Sequence, residues 1–177
     1  MYPFVRLIDV MVRGRWRAPL TPWEPSVLRM TAWPWDCDMF GEVNNGRQLT
    51  LFDLGRFDLG LRTGLMKVLK RERWGLVVAG STIRYRSRIK PFQRYFQHTH
   101  LVARDDRWFY FVQSNERKGV ACSSALIRTG VTSQGKVIAT QEVVDALGYP
   151  DWHGELKDWV KSWAEADAKR PWPPEEI

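Results

Sequence analysis

The chain has 177 residues, 44% of them hydrophobic and 27% charged, a composition expected of a globular domain long enough to bury a core. No stretch approaches the ~20 apolar residues of a membrane span, and two cysteines without metal-ligand spacing exclude a disulfide framework and a cysteine–zinc site. The formal charge of +7 favours an anionic partner, and a phosphate-bearing ligand, nucleic acid and an acidic membrane surface satisfy it equally.

In residues 1–25, Arg6 and Asp9 interrupt the apolar run and Arg13, Arg15 and Arg17 follow it, the reverse of a signal peptide. This arm is expected to pack on the domain or on a partner subunit. A weak contact with a membrane surface is the alternative for a basic amphipathic segment.

Residues 33–62 read WPWDCDMFGEVNNGRQLTLFDLGRFDLGLR and organise the chain. Leu54, Phe57, Leu61, Leu65 and Val68 recur at helical spacing and predict one long helix over about 46–69. Leu51, Phe52, Leu59 and Met66 widen the apolar stripe, so the helix is expected to be wrapped by sheet. Gly55 and Gly60 each cost about 1 kcal/mol against alanine in a helix interior, a cost that close approach to another backbone would offset. Asn44 and Asn45 are the capping candidates. Asp53 with Arg56, and Asp58 with Arg62, read as surface pairs.

The start of this helix offers free N–H donors with partial positive charge, and Asp36, Asp38 and Glu42 stand just before it. That combination suits attack on a carbonyl, with amides holding the oxyanion while a carboxylate attacks or activates water. The plainer reading is that the acids cap the loop and helix. Cys37 lies between two aspartates, where thiolate formation is opposed; Cys37 and Cys122 read as reduced residues of a cytosolic protein.

Residues 75–89 alternate as a strand, with Val77, Ala79, Ile83, Tyr85 and Ile89 on one face and Arg84, Arg86 and Arg88 forming a basic stripe on the other. Residues 94–104, 108–115 and 120–132 follow as strands joined by tight turns. His98 and His100 share a strand face without a third metal ligand in view. The aromatic run WFYF would be a stacking platform in a nucleic-acid reading, but consecutive residues point to opposite faces, so core packing explains it more simply. Four strands after one helix suggest an antiparallel sheet curled about it. Thr140 is expected to cap a short helix ending at Gly148, residues 151–168 to form an amphipathic helix with an aromatic stripe, and residues 170–177 to form an extended proline-rich tail.

The run DCDMFGEVNNGRQ at 36–48 resembles the D-x-D-x-x-G-H-V-N-N-x-x-Y signature of hotdog-fold acyl-CoA thioesterases and the DCDPAG loop of the 4-hydroxybenzoyl-CoA type. The likeness implies an α+β hotdog domain over residues 26–148, a long helix wrapped by a curved antiparallel sheet, with an added arm at 1–25 and a helix and tail at 149–177. It further implies hydrolysis of an acyl-CoA thioester by Asp38 as base or nucleophile, with Glu42 assisting, the amides of Asn45 and Gly46 polarising the carbonyl, and Asp36 structural. Glu42 stands where many members have histidine, and Gln48 where they have tyrosine. Asn44, Gln48 and the stripe Arg84, Arg86 and Arg88 are the expected substrate contacts, the arginines as a seat for coenzyme A phosphates. No cofactor and no metal are expected. The expected assembly is a homodimer or dimer of dimers in the cytoplasm, its site between subunits, with no nucleic-acid partner. The alternative function is an acyl-CoA or lipid-binding hotdog protein without hydrolysis.

Overall fold

The chain folds around one 18-residue helix, α2 (Asn45–Arg62), laid against a single antiparallel sheet. The computed structural model describes residues 2–171 and residue 173; the rest of the expected proline-rich tail lies outside the described residues. Before α2 come α1 (Phe4–Gly14), β1 (Ser26–Thr31) and a single 3-10 turn (Pro34–Asp36). After it come α3 (Leu65–Glu72), β2 (Gly75–Tyr85), β3 (Arg94–Arg104), β4 (Phe109–Arg117), β5 (Val120–Ser133), β6 (Lys136–Val137), α4 (Thr140–Leu147) and α5 (Asp158–Ala168).

The sheet order is β1-β3-β4-β5-β2, with β6 pairing the end of β5, and every pairing is antiparallel. Helix α2 lies on the inner face, where Leu51, Phe52 and Leu54 are fully buried. The predicted wrapping of one helix by a curled sheet is therefore the observed architecture. Four details differ. The helix expected over 46–69 is two helices, because Gly64 adopts φ +82°, a left-handed conformation that ends the first axis and starts α3. Strand β1 is not foreseen from the sequence, since SVLRMT is short and its pairing with β3 is non-local. The strand expected over 75–89 stops at Tyr85 and carries an irregularity between Val78 and Gly80, which interrupts the simple alternation. The last helix starts at Asp158 instead of 151, and Thr140 is the first residue of α4, its hydroxyl donating to the Asp105 carbonyl, while Gly148 closes the helix as expected.

Consecutive aromatics do split between faces. Phe109 and Phe111 point inward, whereas Trp108 and Tyr110 lie on the outer face beneath α5, with Val160, Leu156 and Trp163 packed over them. The arm packs as expected: Leu7 and Val10 of α1 join Leu51 and Leu54 of α2 in one cluster.

Between α2 and the sheet runs a buried polar layer. Gln97 and Thr99 of β3 and Gln113 of β4 point inward and are fully enclosed. Gln97 Nε2 donates to Leu51 O at 3.1 Å, and Gln113 Nε2 donates to Phe52 O at 2.8 Å and to Thr99 Oγ1 at 2.7 Å. These bonds reach helix carbonyls beside Gly55, where a Cβ would stand 2.1 Å from Thr99 Oγ1. The close approach foreseen for Gly55 is thus real, but its partners are side chains of the sheet, not backbone.

Candidate active site

The acidic loop is pinned by Asp36. Its carboxylate is buried and accepts from Arg6 Nη2 at 2.6 Å, Arg47 Nε at 2.8 Å and the Trp33 amide at 3.0 Å. Burial opposes ionisation, but the Trp33 amide and the two guanidinium groups outweigh it, holding Asp36 below the ordinary carboxylate range. This group is a structural anchor joining α1, the loop and the first turn of α2.

Two residues on, Asp38 is half-exposed at a tight turn: its amide donates to Glu42 O at 2.9 Å, and Phe40 N donates to its Oδ1 at 2.9 Å. Among the described residues, no group donates to its second oxygen. The chain then pairs Cys37 with Val43 and enters α2. Asn44 is the helix cap, its side chain accepting from Arg47 N at 3.1 Å. The exposed amides of Asn45 and Gly46 lie in the first turn, donating to no described group, as helix starts dictate. The end of β2 closes on this turn, with Tyr85 Oη donating to Asn45 O at 3.0 Å and Arg88 Nε 3.2 Å from Glu42 Oε2.

The structure therefore brings together Asp38, Glu42, Asn44, Asn45, Gly46 and Arg88. Arg84 and Arg86 are exposed near the same end of β2. Gln48 lies elsewhere: it is buried, donates to Val43 O at 3.3 Å and accepts from Asn115 Nδ2 at 3.2 Å and Ser123 Oγ at 2.7 Å. Its hydrogen-bonding capacity is directed into the core. Cys37 has its thiol pushed up by burial and by Asp36 and Asp38, which leaves it a poor nucleophile.

A cavity of about 250 Å³ opens farther along α2. Phe57, Gly60, Met66, Leu76, Val78 and Phe111 line it, and Asp53 with Arg56 forms its polar wall. Asp53–Arg56 and Asp58–Arg62, expected as surface pairs, are largely enclosed. Arg56 contacts both Asp53 and Gln113 in a largely enclosed position, where burial raises the Asp53 pKa against the opposing effect of Arg56. Asp58 is buried and accepts from Arg17 Nη1 at 2.9 Å to each oxygen and from Ser26 Oγ at 2.5 Å, with Arg62 at 3.3 Å. An i, i+3 or i, i+4 pair carries no sign of partners 32, 41 or 57 residues away, so spacing alone could not reveal either role.

Among the described residues, no group of three or more His, Cys, Asp or Glu side chains could hold a metal ion. His100 Nε2 is bonded to Trp23 O at 2.7 Å, and His98 faces Glu116 at 3.4 Å. No described helix is long and apolar enough to cross a membrane.

Residues 32–171 match the model of the thioesterase-like superfamily. Protein THEM6 of Xenopus laevis is 29% identical over 135 residues, covering 72% of this chain and 63% of that protein. The probable thioesterase YBR096W of Saccharomyces cerevisiae is 24% identical, over 65% of this chain and 51% of that protein. The chain thus spans under two thirds of the length of these relatives. In structure it is similar to YbaW, a probable thioesterase from Escherichia coli, with a TM-score of 0.64 at 19% identity, covering 70% of this chain and 96% of that one.

Proposed function

Because the chain belongs to the thioesterase-like superfamily and has the hotdog fold, we propose that it hydrolyses an acyl-coenzyme A thioester to a carboxylic acid and free coenzyme A. The observation that carries this reading is the half-exposed Asp38 carboxylate set before a helix start with uncommitted amides. Asp38 acts as base or nucleophile, and the Asn45 and Gly46 amides hold the oxyanion that forms on the carbonyl. The leaving thiolate, with an intrinsic pKa of about 8.5, departs near neutral pH without a strong acid. Glu42 orients water from its pair with Arg88.

Within one protomer the loop and the cavity are separated along α2: Asn45 and Asp53 are eight positions apart, a rise of about 12 Å. A homodimer joins them. The outer edge of β2 has no strand partner among the described residues and exposes Leu76, Val77 and Val78. Two-fold antiparallel pairing of β2 with its copy sets the Tyr85 end of one strand against the Leu76 end of the other. Tyr85 holds the helix start, and Leu76 and Val78 line the cavity. Each site would then take its carboxylate and amides from one subunit and its acyl cavity from the partner.

The test is release of coenzyme A thiol from short, long and aromatic acyl-CoAs by the native chain and by Asp38→Asn. Turnover lost in the variant with the fold intact supports the assignment; turnover kept refutes the role of Asp38. Acyl-CoA bound but not cleaved by the native chain would make this a binding protein on the same fold.

A further inference from the structure

The outer side of α1 is apolar. Leu7, Val10 and Gly14 face α2, whereas Phe4, Val5, Ile8 and Val12 point away from the protein, Val5 with 83% of its surface exposed. These four positions fall within an arc of about 100° on the helix, so they form one stripe and not scattered residues. Asp9, the acid bordering the stripe, is neutralised by Arg13 at 2.7 Å.

A second apolar patch lies on the Arg6 side of the same helix. Trp33 stacks on Trp35 at 5.3 Å, Phe92 meets Trp33 edge-on at 6.3 Å, and Trp35 and Phe92 are 71% and 66% exposed. Arg6 of α1 ties the two patches rigidly together, holding both Thr31 O at 3.2 Å and the Asp36 carboxylate next to Trp35, while the Asp9–Arg13 pair lies on the helix surface between Arg6 and the stripe. Exposed cations stand beside both: Arg15 at the end of α1, and Lys90 and Arg94 on either side of Phe92.

We propose that this side docks on an anionic lipid bilayer surface, with α1 lying in the interface plane and Trp35 and Phe92 entering the headgroup layer. An aliphatic stripe edged by arginine, with tryptophan at its margin, matches the chemistry of that interface. A second copy fits less well, since a two-fold contact through this side would set one cation-framed surface against another. The side is also distinct from the β2 edge. α1 covers the flank of α2 that carries Leu54, Asp58 and Leu61, and its start reaches toward the cavity flank, where Tyr2, in ring contact with Phe4, feels the charges of Asp53 and Arg56.

The test is co-sedimentation of the full chain with phosphatidylcholine vesicles, with and without about one third phosphatidylglycerol. Binding is expected on the anionic vesicles, weaker by at least about tenfold on neutral ones or at raised salt. Val5→Glu/Ile8→Glu and Trp35→Ala/Phe92→Ala should each lose at least about tenfold on the anionic vesicles, with circular dichroism and elution volume unchanged. No binding to anionic vesicles, or equal binding by the native chain and both variants, overturns the proposal. A native chain that elutes larger than Val5→Glu/Ile8→Glu also overturns it, and makes the stripe a seam between copies.

Discussion

Gly55→Ala sets local propensity against packing. Propensity favours the change, since alanine stabilises a helix interior by about 1 kcal/mol over glycine. Packing opposes it: the added Cβ would stand 2.1 Å from Thr99 Oγ1, 2.7 Å from Gln97 Oε1 and 3.1 Å from Gln113 Nε2. Reaching an ordinary contact requires a separation of about 1.4 Å between helix and sheet or a rotation of Thr99. The separation stretches the bonds from Gln97 to Leu51 O and from Gln113 to Phe52 O beyond useful length, and the rotation breaks the bond from Gln113 to Thr99 Oγ1. Each buried group left unpaired costs about 1–3 kcal/mol, and overpacking adds about 1–3 kcal/mol. Packing wins: with one or two groups unpaired, overpacking added and about 1 kcal/mol of propensity set against them, the net loss is about 1–8 kcal/mol, a fall in Tm of at least about 2 °C. Urea unfolding followed by tryptophan fluorescence at fixed protein concentration measures it. Gly60→Ala is the control: its Cβ would meet Met66 at 3.6 Å, an ordinary contact, so that variant should be unchanged or stabilised by up to about 1 kcal/mol. A Gly55→Ala protein as stable as the native chain would refute the role given to the polar layer.

Asp36→Asn leaves Arg6 and Arg47 without their carboxylate and should cost about 3 kcal/mol, by analogy with other broken buried pairs. Because the folded pKa of Asp36 lies below its unfolded value of about 3.9, its contribution is complete above that pH and fades as pH falls through the folded pKa. The stability gap between the native chain and the Asp36→Asn variant should therefore persist at neutral pH and narrow below about pH 4; a gap constant down to about pH 2 would contradict the ionised anchor. Val78→Arg on the free edge of β2 should give a monomer in sedimentation velocity and strip turnover with it, and an active dimer in that variant would refute the composite site. Cys37 should react with iodoacetamide more slowly than a free thiol at pH 7, with its rate still climbing above about pH 8.5, where that of a free thiol levels off; rapid labelling at neutral pH would show that burial and the flanking aspartates do not suppress its thiolate.

What the sequence made legible was local. The apolar stripe of α2, the alternation of β3 to β5 and the loop from Asp36 to Asn45 all depend on residues a few positions apart, and each appears where its pattern placed it except that the helix breaks at Gly64. What it hid depends on distant partners. Three aspartates illustrate the difference. Asp36, Asp53 and Asp58 look alike as acids near or within one helix, yet Asp36 anchors two arginines, Asp58 ties the arm and β1 to α2 through Arg17 and Ser26, and Asp53 walls a cavity. Burial decides among these roles, and burial is set by elements that meet only in the fold.

The same reasoning gives the polar layer a purpose. An apolar helix on an apolar sheet could slide or rotate at small cost, since the hydrophobic effect has no direction. Gln97 and Gln113 donate to two specific carbonyls of α2, and Gln48 is tied to Asn115 and Ser123 one turn into the helix. These bonds fix both the rotation and the axial position of α2 against the sheet. Asp36 then fixes the loop to that same helix through Arg47. The relation between Asp38 and the first amides of α2 is therefore set by buried polar contacts that never touch the site, which explains why a loop on the surface can hold a carboxylate and two donors in a reproducible arrangement.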